Sequence, residues 1–414
     1  MNIWIVCVGE PLPIDSDNVR LRRMGNLAKY ISENEQDSVE WFSSSFDHYQ
    51  KKQRVNKSER LRINDNYCIN VAYANGYKKN VSFSRIIHHK ITAINIYNMM
   101  LKQEKPDIII ASMEPLEVSE VAIKYGQRYN VPVVLDVRDL WPEIFFEVLP
   151  KKIAPIITPY VSLCRKRLSK TMKNAYSIVG LSEYFLQYGL KFANREKRES
   201  DKVFPIAYPN YDYNAYKSEF DNLWSEYNLK EDDFIITFMG NFGKQFEFNE
   251  IIEASKSLQQ YSNIKFVLCG LGEQLENIKS KVGDNVIFPG WIEKIAIGSL
   301  LSNTDIGIAP YIDSVNYRNN TPNKFGEYLS ASLPIVVSVT GEMESLLHKN
   351  NCGYSYSNSE ELVEIILEYY NDAKMLMESK KNARLLYDSM FNSDSAYEKM
   401  TNYLKELVTY NKDI

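Results

Sequence analysis

Two glycines and a lysine follow a run of apolar residues in the segment 238–244, Phe-Met-Gly-Asn-Phe-Gly-Lys. Glycine lets backbone N–H groups approach a ligand closely, and a helix predicted from residue 248 directs the positive end of its dipole to the same place. Lys244 adds a positive charge that suits a diphosphate. The segment is typical of a phosphate cradle, although an ordinary glycine-rich turn with a solvated lysine has the same pattern.

The segment 320–337 has the most specific pattern in the chain. A polar turn that contains Pro322 leads into a predicted helix with Lys324 and Glu327, and a buried strand follows. Residues three apart share one face of a helix. Lys324 and the N–H groups of the first helical turn can hold phosphates, and Glu327 can accept hydrogen bonds from ribose or sugar hydroxyls. The alternative is an exposed salt bridge between the two side chains.

Two other strand-to-helix turns of the second half carry glycine. The turn Cys-Gly-Leu-Gly-Glu, 269–273, allows a nucleotide to pack closely or simply makes a tight bend. The segment Phe-Pro-Gly-Trp-Ile, 288–292, offers backbone groups to a base edge, with Trp291 or Ile292 packed beside it. Core packing is the alternative interpretation of Trp291.

In the first half, the segment 131–143 ends a predicted strand in Asp136, Arg138 and Asp139, followed by Trp141. Three charges at the end of a strand are expensive unless they face a cleft or pair with one another. They indicate either a structural ion pair or a catalytic or substrate-binding cluster.

Three arginines, Arg20, Arg22 and Arg23, follow the loop 9–13 and open a predicted helix, with Lys29 further along it. One interpretation is a solvated basic face. The other is a site for an anionic acceptor such as a lipid diphosphate.

Short apolar runs alternate with longer amphipathic stretches through both halves of the chain. This alternation favours two tandem, doubly wound α/β domains of Rossmann-like type, with ligands at the carboxyl ends of the strands, facing a cleft between the domains. We predict one domain over 1–207, a second over 208–392, and a final helix in 393–414 that packs back toward the first domain. The predicted strands are 3–8, 39–42, 68–72, 108–111, 131–135, 178–181, 234–239, 264–269, 286–288, 306–309 and 335–339. The predicted helices are 19–32, 85–105, 116–129, 248–260, 273–281, 295–303, 323–332, 359–390 and 393–408.

The composition argues against several classes of protein. The chain has 414 residues and a net charge of −4, and a nucleic-acid binder would normally carry a basic excess. Its five cysteines and four histidines lack metal-ligand spacing, so we predict no metal site and buried, reduced thiols. It has neither a signal peptide nor an apolar run of about 20 residues that would span a bilayer, so we expect a cytoplasmic protein.

Together, these segments resemble glycosyltransferase family 4, which has the GT-B fold. The resemblance covers nearly the whole chain and rests on 240–244, 269–273, 288–291 and 322–335, with 136–142 and 175–183 in the first half. The pattern Asp-Val-Arg-Asp-Leu-Trp-Pro at 136–142 looks like the bacterial branch that builds capsule, O-antigen and exopolysaccharide repeat units. The resemblance implies a metal-independent, retaining hexosyltransferase that uses no cofactor and takes its sugar from a nucleotide diphosphate sugar, with a UDP-sugar as the expected donor.

The resemblance also implies a role for each matching residue. The first domain would bind the acceptor and the second the nucleotide sugar, with Glu327 on the donor ribose. Asn319 stands where the family has a first glutamate, so a carboxylate role does not carry over, and Arg138 and Asp139 stand where many relatives have a histidine. The expected catalytic residues are Asp139, Arg138, Lys244 and Lys324. The expected donor-binding residues are Gly9, Gly240, Asn241, Gly243, Lys244, Gly270, Gly272, Trp291, Ile292, Asn319, Pro322, Asn323, Lys324 and Glu327. The expected acceptor-binding residues are Arg20, Arg22, Arg23 and Trp141.

Acceptors in this branch are usually saccharides carried on a polyprenyl diphosphate at the inner face of the cell membrane. The segment 144–173 combines an apolar stretch with several lysines and arginines, a composition that suits an anionic membrane surface. We therefore expect peripheral association with the cytoplasmic face of the membrane. A helix between two strands, with a solvated basic face, is the alternative.

Two other functions are consistent with the sequence. A nucleotide-sugar 2-epimerase of the GT-B fold needs neither an acceptor nor a basic membrane segment. A catalytically inactive homologue, which binds nucleotide sugar as a scaffold, is consistent with Asn319 in place of a glutamate.

Overall fold

The computed structural model describes residues 1–16, 19–79, 82–149 and 151–412. Contacts divide the chain into two compact units, Met1–Pro205 with Ala396–Ile414, and Ile206–Ser395. Each unit is built on a mainly parallel sheet with helices, so the predicted α/β class with two Rossmann-like units is confirmed. Pro150, in the predicted membrane segment, lies outside the described residues.

Strands and helices alternate along the chain. The strands are β1 Asn2–Val6, β2 Ser38–Ser44, β3 Phe46–Asp47, β4 Lys52–Gln53, β5 Glu59–Asn64, β6 Tyr67–Ala72, β7 Ile108–Ser112, β8 Val133–Val137, β9 Ser177–Gly180, β10 Lys202–Val203, β11 Phe234–Met239, β12 Ile264–Cys269, β13 Val286–Gly290, β14 Ile306–Ala309, β15 Ile335–Val337 and β16 Gly353–Ser355. The α-helices are α1 Arg23–Ser32, α2 Phe83–Met100, α3 Leu116–Tyr129, α4 Ile144–Val148, α5 Ala154–Lys173, α6 Glu183–Ala193, α7 Phe220–Trp224, α8 Asn249–Ser257, α9 Leu275–Lys279, α10 Lys294–Asn303, α11 Val315–Arg318, α12 Asn323–Ser330, α13 Glu342–Lys349, α14 Ser359–Asn371, α15 Ala373–Leu386 and α16 Ser393–Lys412.

The sheet of the first unit, over the described residues, has the order β10-β9-β8-β7-β1-β2-β6-β5. Its strands pair in parallel except at the β5–β6 edge, which is antiparallel. β7, β8 and β9 are buried along their whole length, as expected for a parallel sheet covered by helices. After β1 the chain forms β2, β5 and β6 on one side of that strand, and it then forms β7 to β10 on the other side. This switch brings the loops after β1, β7 and β8 to one edge, where ligands bind in such folds.

The sheet of the second unit has the order β13-β12-β11-β14-β15-β16, and its pairs are parallel throughout the described residues. β11 is fully buried and lies beside β12 on one flank and β14 on the other. The order of the strands along the chain reverses at β11. The turns that follow β11, β12 and β13 therefore meet at one edge of the sheet.

The structure corrects two predicted helices and adds a strand that was not predicted. The helix predicted over 359–390 is interrupted at Asp372, whose side chain accepts a hydrogen bond from the N–H of Met375 at 2.9 Å and so starts α15. The first helix begins at Arg23 rather than at residue 19. The strand Glu59–Asn64 was not predicted, because its alternating charges do not resemble a buried strand.

The end of α16 packs against the sheet of the first unit. Tyr397, Met400, Tyr403, Leu404 and Leu407 are buried along one side of this helix. The hydroxyl of Tyr403 donates to the carbonyl of Ser200 at 2.9 Å and lies 2.7 Å from Oγ of Ser177, next to β9. These bonds fix the helix to the edge of the first sheet.

In the described ranges, every helix is too short or too polar to cross a membrane. The five cysteines are buried, as predicted. Burial raises the pKa of the Cys7 and Cys269 thiols, so both are held as inert thiols within the core.

Replacement of Tyr403 by phenylalanine tests the anchoring of α16. We expect Tyr403→Phe to lower the free energy of unfolding by about 1–2 kcal/mol, because a buried hydroxyl with two partners is lost. Urea-induced unfolding followed by circular dichroism measures the change. Tyr410→Phe, at a side chain that is 64% exposed on the same helix, is the control. Equal effects of the two variants would contradict the anchoring.

Candidate active site

Three glycine turns meet at the carboxyl ends of β11, β12 and β13. Gly240 donates its N–H to the carbonyl of Cys269 at 2.9 Å, and Gly270 donates to the carbonyl of Gly290 at 2.7 Å. A Cβ at position 270 would lie 1.8 Å from the carbonyl oxygen of Gly240, and the φ of +132° there is one that side chains rarely adopt. Position 270 therefore requires glycine, because the two turns approach backbone to backbone.

The turn after β11 is anchored by aromatic packing. Phe238, Phe242, Phe246 and Phe248 are buried. The ring centroid of Phe238 lies 5.4 Å from that of Phe242 and 5.1 Å from those of Phe246 and Phe248. Since the phenylalanines occupy the core, the glycines and polar groups of the turn are left at the edge of the sheet.

Lys324 brings a buried positive charge to this turn. It lies in the first turn of α12, after Pro322, and only 8% of it is exposed. Its Nζ lies 4.5 Å from the ring centroid of Phe238, and a Cβ at Gly240 would come within 2.8 Å of the same nitrogen. The alternative of an exposed salt bridge is therefore wrong. The predicted phosphate cradle at 238–244 and the predicted helix that carries Lys324 therefore meet at Gly240.

Glu327 lies about one turn further along α12 and is half-buried. Its carboxylate accepts a hydrogen bond from the hydroxyl of Tyr208, whose own carbonyl accepts from the hydroxyl of Tyr387 at 2.9 Å. Tyr208 is buried. This chain of bonds holds one oxygen of Glu327 in a fixed direction on the same helix as Lys324.

The other residues predicted for the donor have varied environments. The side chain of Lys244 is 86% exposed, with Nζ 3.9 Å from Glu273. Asn241 is also exposed. A Cβ at Gly272 would lie 2.4 Å from Oδ1 of Asn241, and one at Gly243 would lie 2.4 Å from the flexible end of Gln245. The cradle thus combines one buried and one solvated lysine.

Further from the cradle, Trp291 is 70% exposed, so core packing is not its role, whereas Ile292 packs on the core. Asn319 ends α11 and donates from Nδ2 to the carbonyl of Val315 at 2.7 Å. Pro322 precedes α12 and Asn323 begins it. These residues belong to the loops after β13 and β14.

Buried ion pairs occupy the corresponding edge of the first sheet. Nε and NH2 of Arg23 donate to the two oxygens of Asp136 at 2.9 and 3.1 Å, and NH1 donates to the carbonyl of Pro205 at 3.0 Å. Arg138 pairs with Glu10 and donates to Oγ of Ser112 at 2.6 Å. The structural ion-pair interpretation of Asp136 and Arg138 therefore fits.

Glu10 links this network to a helix. Its second oxygen accepts from the N–H groups of Met24 and Gly25, at 3.0 and 3.3 Å, in the first turn of α1. A carboxylate at a helix N-terminus is stabilised by the helix dipole. Arg23, predicted to bind an acceptor, has its guanidinium engaged inside the unit, so we leave it out of the proposed acceptor site.

Asp139 and Glu114 form a second group at this edge, made of two buried carboxyls. The carboxylate of Asp139 accepts from the N–H of Leu140 at 2.7 Å, and burial raises its pKa. Burial, with the nearby charge of Asp139, raises the pKa of Glu114 to about 8. Oε1 of Glu114 is enclosed and has no hydrogen-bond partner among the described residues. The carboxyl group of Glu114 therefore retains its proton near neutral pH.

The remaining predicted residues of the first unit lie near this edge. Gly9 follows β1 with a φ of +86°, and no described atom lies within 4 Å of the place that a Cβ would take there. Arg20 and Arg22 are exposed, and the guanidinium of Arg22 lies 4.4 Å from the ring centroid of Tyr49. The carbonyl of Trp141 accepts from the hydroxyl of Tyr188 at 2.8 Å.

Sequence reasoning missed Glu10, Glu114 and Tyr208. Glu10 and Glu114 share a signal that was available, because each stands before a proline within four residues of the end of a buried strand. A carboxylate at that point lies at the ligand edge of a parallel sheet. Tyr208 had no such signal, since its partner Glu327 is more than a hundred residues away in the chain.

A family comparison bears on the second unit. Residues 220–386 match the model of the family described as glycosyl transferases group 1, which is less than half of the chain. Over these residues the second unit is similar to group 1 glycosyl transferases, and the whole chain has the fold of GT-B glycosyltransferases.

Solved structures match nearly the whole chain. Sucrose-phosphate synthase from Thermosynechococcus elongatus is 13% identical with a TM-score of 0.71, and 99% of each chain is covered. HepE from Anabaena, in complex with UDP, is 13% identical with a TM-score of 0.64, covering 98% of this chain and 99% of the other. A glycosyltransferase from Rickettsia africae ESF-5 is 14% identical with a TM-score of 0.64, and 98% of each chain is covered. At these identities the likeness establishes the fold. No curated protein sequence matches the chain significantly.

The raised pKa of Glu114 predicts a pH dependence of stability. Between its ordinary pKa of 4.5 and about 8, the folded chain keeps a proton that the unfolded chain releases, so stability falls as pH rises through this window. Glu114→Gln cannot ionise. We expect its free energy of unfolding, relative to the native chain, to rise by on the order of 1–3 kcal/mol between about pH 5 and pH 8.

Urea-induced unfolding at several pH values measures this difference, with Glu35→Gln at an exposed position as the control. A difference between Glu114→Gln and the native chain that does not change with pH would show that Glu114 is ionised in the folded protein.

Proposed function

We propose that this protein is a retaining glycosyltransferase that moves a sugar from a nucleotide diphosphate sugar, a UDP-sugar in the first instance, to a saccharide carried on a polyprenyl diphosphate. The reaction belongs to surface polysaccharide synthesis and uses no metal ion. One observation carries the proposal: the buried ammonium of Lys324 lies against Gly240, at the carboxyl end of β11. The match of residues 220–386 to group 1 glycosyl transferases supports it.

Charge at the cradle suits a diphosphate leaving group. When the bond between the anomeric carbon and the phosphate oxygen breaks, negative charge grows on the phosphate. Lys324 and the N-terminus of α12 lie on the edge where the turn after β11 presents its backbone. A fixed positive group in a partly desolvated site stabilises such charge without reorganisation, as a metal ion does elsewhere. The solvated Lys244 supplies a second, mobile charge.

The ribose of the donor is assigned to Glu327. Its carboxylate is held by Tyr208 and points from the same helix as Lys324. Asn319 offers an amide where a first carboxylate is usual in the family that the sequence resembles. The remaining proposed donor contacts come from Gly9, Gly240, Asn241, Gly243, Gly270, Gly272, Trp291, Ile292, Pro322 and Asn323.

The transfer step exchanges one bond for another at the anomeric carbon. The hydroxyl oxygen of the acceptor forms the new bond on the face that the phosphate leaves, and the hydroxyl proton passes to the departing phosphate. Asp139 is proposed to orient that hydroxyl. The raised pKa of its carboxyl supports this role, because it reflects a desolvated carboxyl group at the ligand edge of the first sheet. Arg138 is bonded to Glu10 and Ser112, and we assign it a positioning role.

The acceptor is assigned to the first unit. Arg20 and Arg22 are exposed and Trp141 is half-buried, on the loops that follow β1 and β8. Exposed guanidinium groups suit a phosphate-bearing acceptor, because each can donate two parallel hydrogen bonds.

Nucleotide binding tests the donor assignment. UDP should raise the midpoint of thermal unfolding, and Lys324→Ala should weaken UDP binding, measured by isothermal titration calorimetry, by about tenfold or more, because a charge-assisted contact is lost. Glu327→Gln should weaken it less. Lys349→Ala, at an exposed position of α13, is the matched control and should leave the affinity unchanged.

The rival functions give different results in the same assays. Steady release of a free epimer without any acceptor would favour an epimerase, and tight nucleotide binding without turnover on any lipid-linked acceptor would favour a scaffold. If none of UDP, GDP and ADP raised the midpoint of thermal unfolding, the proposed donor site would be contradicted.

Helix α5 supports association with the cytoplasmic face of the cell membrane. Ile156, Tyr160 and Leu163 are exposed and recur at four- and three-residue steps, which places them on one side of the helix. Exposed lysines accompany them at Lys152, Lys166, Lys170 and Lys173. An amphipathic helix with basic flanks binds an anionic lipid surface by both its apolar and its charged groups.

Sedimentation with vesicles tests this surface. The protein should bind vesicles that contain anionic phosphatidylglycerol, and higher salt should weaken the binding through screening. Leu163→Asp should reduce the bound fraction severalfold, whereas Leu385→Asp, at an equally exposed leucine in the second unit, should not. Binding that is insensitive to salt and to Leu163→Asp would contradict a role for α5.

A further inference from the structure

Three of the four histidines of the chain lie together in the first unit, among tyrosines and cations. His48 follows β3, and His88 and His89 lie in the first half of α2, next to the edge of the sheet where β1 ends. None of them belongs to the proposed donor or acceptor groups. The members of this His48 cluster are His48, Tyr49, Lys51, Tyr77, Arg85, His88 and His89.

Two cations of the cluster converge on one aromatic ring. Nζ of Lys51 lies 4.7 Å from the ring centroid of Tyr77, and the guanidinium carbon of Arg85 lies 5.6 Å from the same centroid. Burial and the charge of Arg85 lower the pKa of Lys51. Lys51 also has a φ of 55°, a left-handed conformation that is costly for a lysine and is typical of functional turns. Lys51 is therefore held close to the like charge of Arg85 in a strained backbone conformation.

The imidazoles of His48 and His89 accept hydrogen bonds from the cluster. Nδ1 of His48 lies 2.6 Å from the hydroxyl of Tyr77 and 3.5 Å from Nζ of Lys51, and Nε2 of His89 accepts from Nε of Arg85 at 3.5 Å. Each ring is thus neutral and carries its proton on the other nitrogen. Burial and the neighbouring cations lower the pKa of His48 to about 4 and that of His89 to about 3.

His88 differs from these two rings because its partners are structural. Its Nδ1 lies 2.8 Å from the carbonyl of Asn75, and its Nε2 lies 3.2 Å from Oγ of Ser44. Asp47, the carboxylate that acts on His48, is also engaged. It accepts from the N–H groups of Tyr49 and Gln50 and lies 3.9 Å from Arg54.

We propose that the His48 cluster is a binding site for a phosphate group, with Lys51 and Arg85 supplying the charge and the N–H groups of His48 and His89 the remaining hydrogen bonds. A phosphate relieves the repulsion between Lys51 and Arg85, which contributes to the lowered pKa of Lys51. Arg22, stacked on Tyr49, adds a third positive charge at its rim. That this phosphate belongs to the lipid-linked acceptor rests on the proposed function, whereas the anion site itself does not.

The site couples phosphate binding to histidine protonation. A bound anion favours the charged form of a nearby imidazole, so the pKa of His48 and of His89 rises when phosphate binds, and affinity rises as pH falls. The titratable and charged groups that surround His48 are Arg22, Asp47, Tyr49, Lys51, Tyr77, Arg85, His88 and His89.

NMR of the full chain labelled with ¹⁵N-histidine measures this directly. We expect inorganic pyrophosphate to shift the ring signals of His48 and His89 saturably and to raise the pKa of His48 by about one unit or more. His348, on α13 in the second unit, is the internal reference and should not respond. Unchanged signals of His48 and His89 at saturating pyrophosphate would overturn the proposal.

Matched variants distinguish specific binding at the His48 cluster from non-specific attraction by positive charge. Arg85→Gln and Lys51→Gln should each weaken pyrophosphate binding, followed at the His89 signal, by about tenfold or more, and Lys90→Gln, exposed on the same helix, by less than about twofold. Equal effects at positions 85 and 90 would overturn the site. A response to glucuronate as strong as that to phosphate would overturn the assignment to phosphate.

A titration with UDP distinguishes this proposal from the proposed function. UDP binding that is lost in Lys324→Ala, with the pyrophosphate response of His48 retained, supports both. An intact response of His48 in a chain that does not bind UDP would defeat the proposed function alone.

Discussion

A buried ammonium group is expensive, and much of the second unit is arranged around the one at Lys324. The charge is removed from water and is compensated in part by the face of Phe238 and by the polar backbone of the turn at Gly240. A Cβ at position 240 would displace Nζ of Lys324, and no side chain fits at position 270 without meeting the carbonyl of Gly240. The glycines of two turns, the phenylalanines below them and the start of α12 therefore depend on one another.

The first unit also contains buried charges, but these are paired with one another. Its ligand edge holds Arg23, Arg138, Asp136 and Glu10 in paired contacts, which tie β1, β8 and the start of α1 together. Such pairs contribute little net stability but are costly to break, so they fix geometry rather than strengthen the fold. Beside them lie Asp139 and Glu114, whose carboxyl pKa values are raised by burial, and the His48 cluster. The edge thus combines a network of paired charges with a separate set of carboxyl and imidazole groups.

The sequence predicts much of this architecture because parallel strands buried on both faces appear as continuous apolar runs. The strand Phe234–Met239 agrees with its prediction residue for residue. The strand Glu59–Asn64 was missed because an antiparallel edge strand need not be apolar. The break at Asp372 was missed because an N-cap inside an amphipathic stretch interrupts the helical periodicity only briefly.

The site is less predictable for a physical reason. Local pattern placed Lys324 and Glu327 on one helix face, but burial of Lys324 depends on Phe238 and Gly240, more than eighty residues earlier in the chain. In the same way, three neighbouring arginines look alike in sequence, yet Arg23 is buried on Asp136 while Arg20 and Arg22 are exposed. Contacts between distant segments decide which charge is structural and which faces solvent.

A crystal structure of the protein with UDP would show whether the buried lysine binds the donor. We predict the β-phosphate within about 3 Å of Nζ of Lys324, with the ribose hydroxyls on the carboxylate of Glu327. A nucleotide bound elsewhere, with Lys324 still enclosed between Phe238 and Gly240 and making no contact with phosphate, would contradict the proposed donor site.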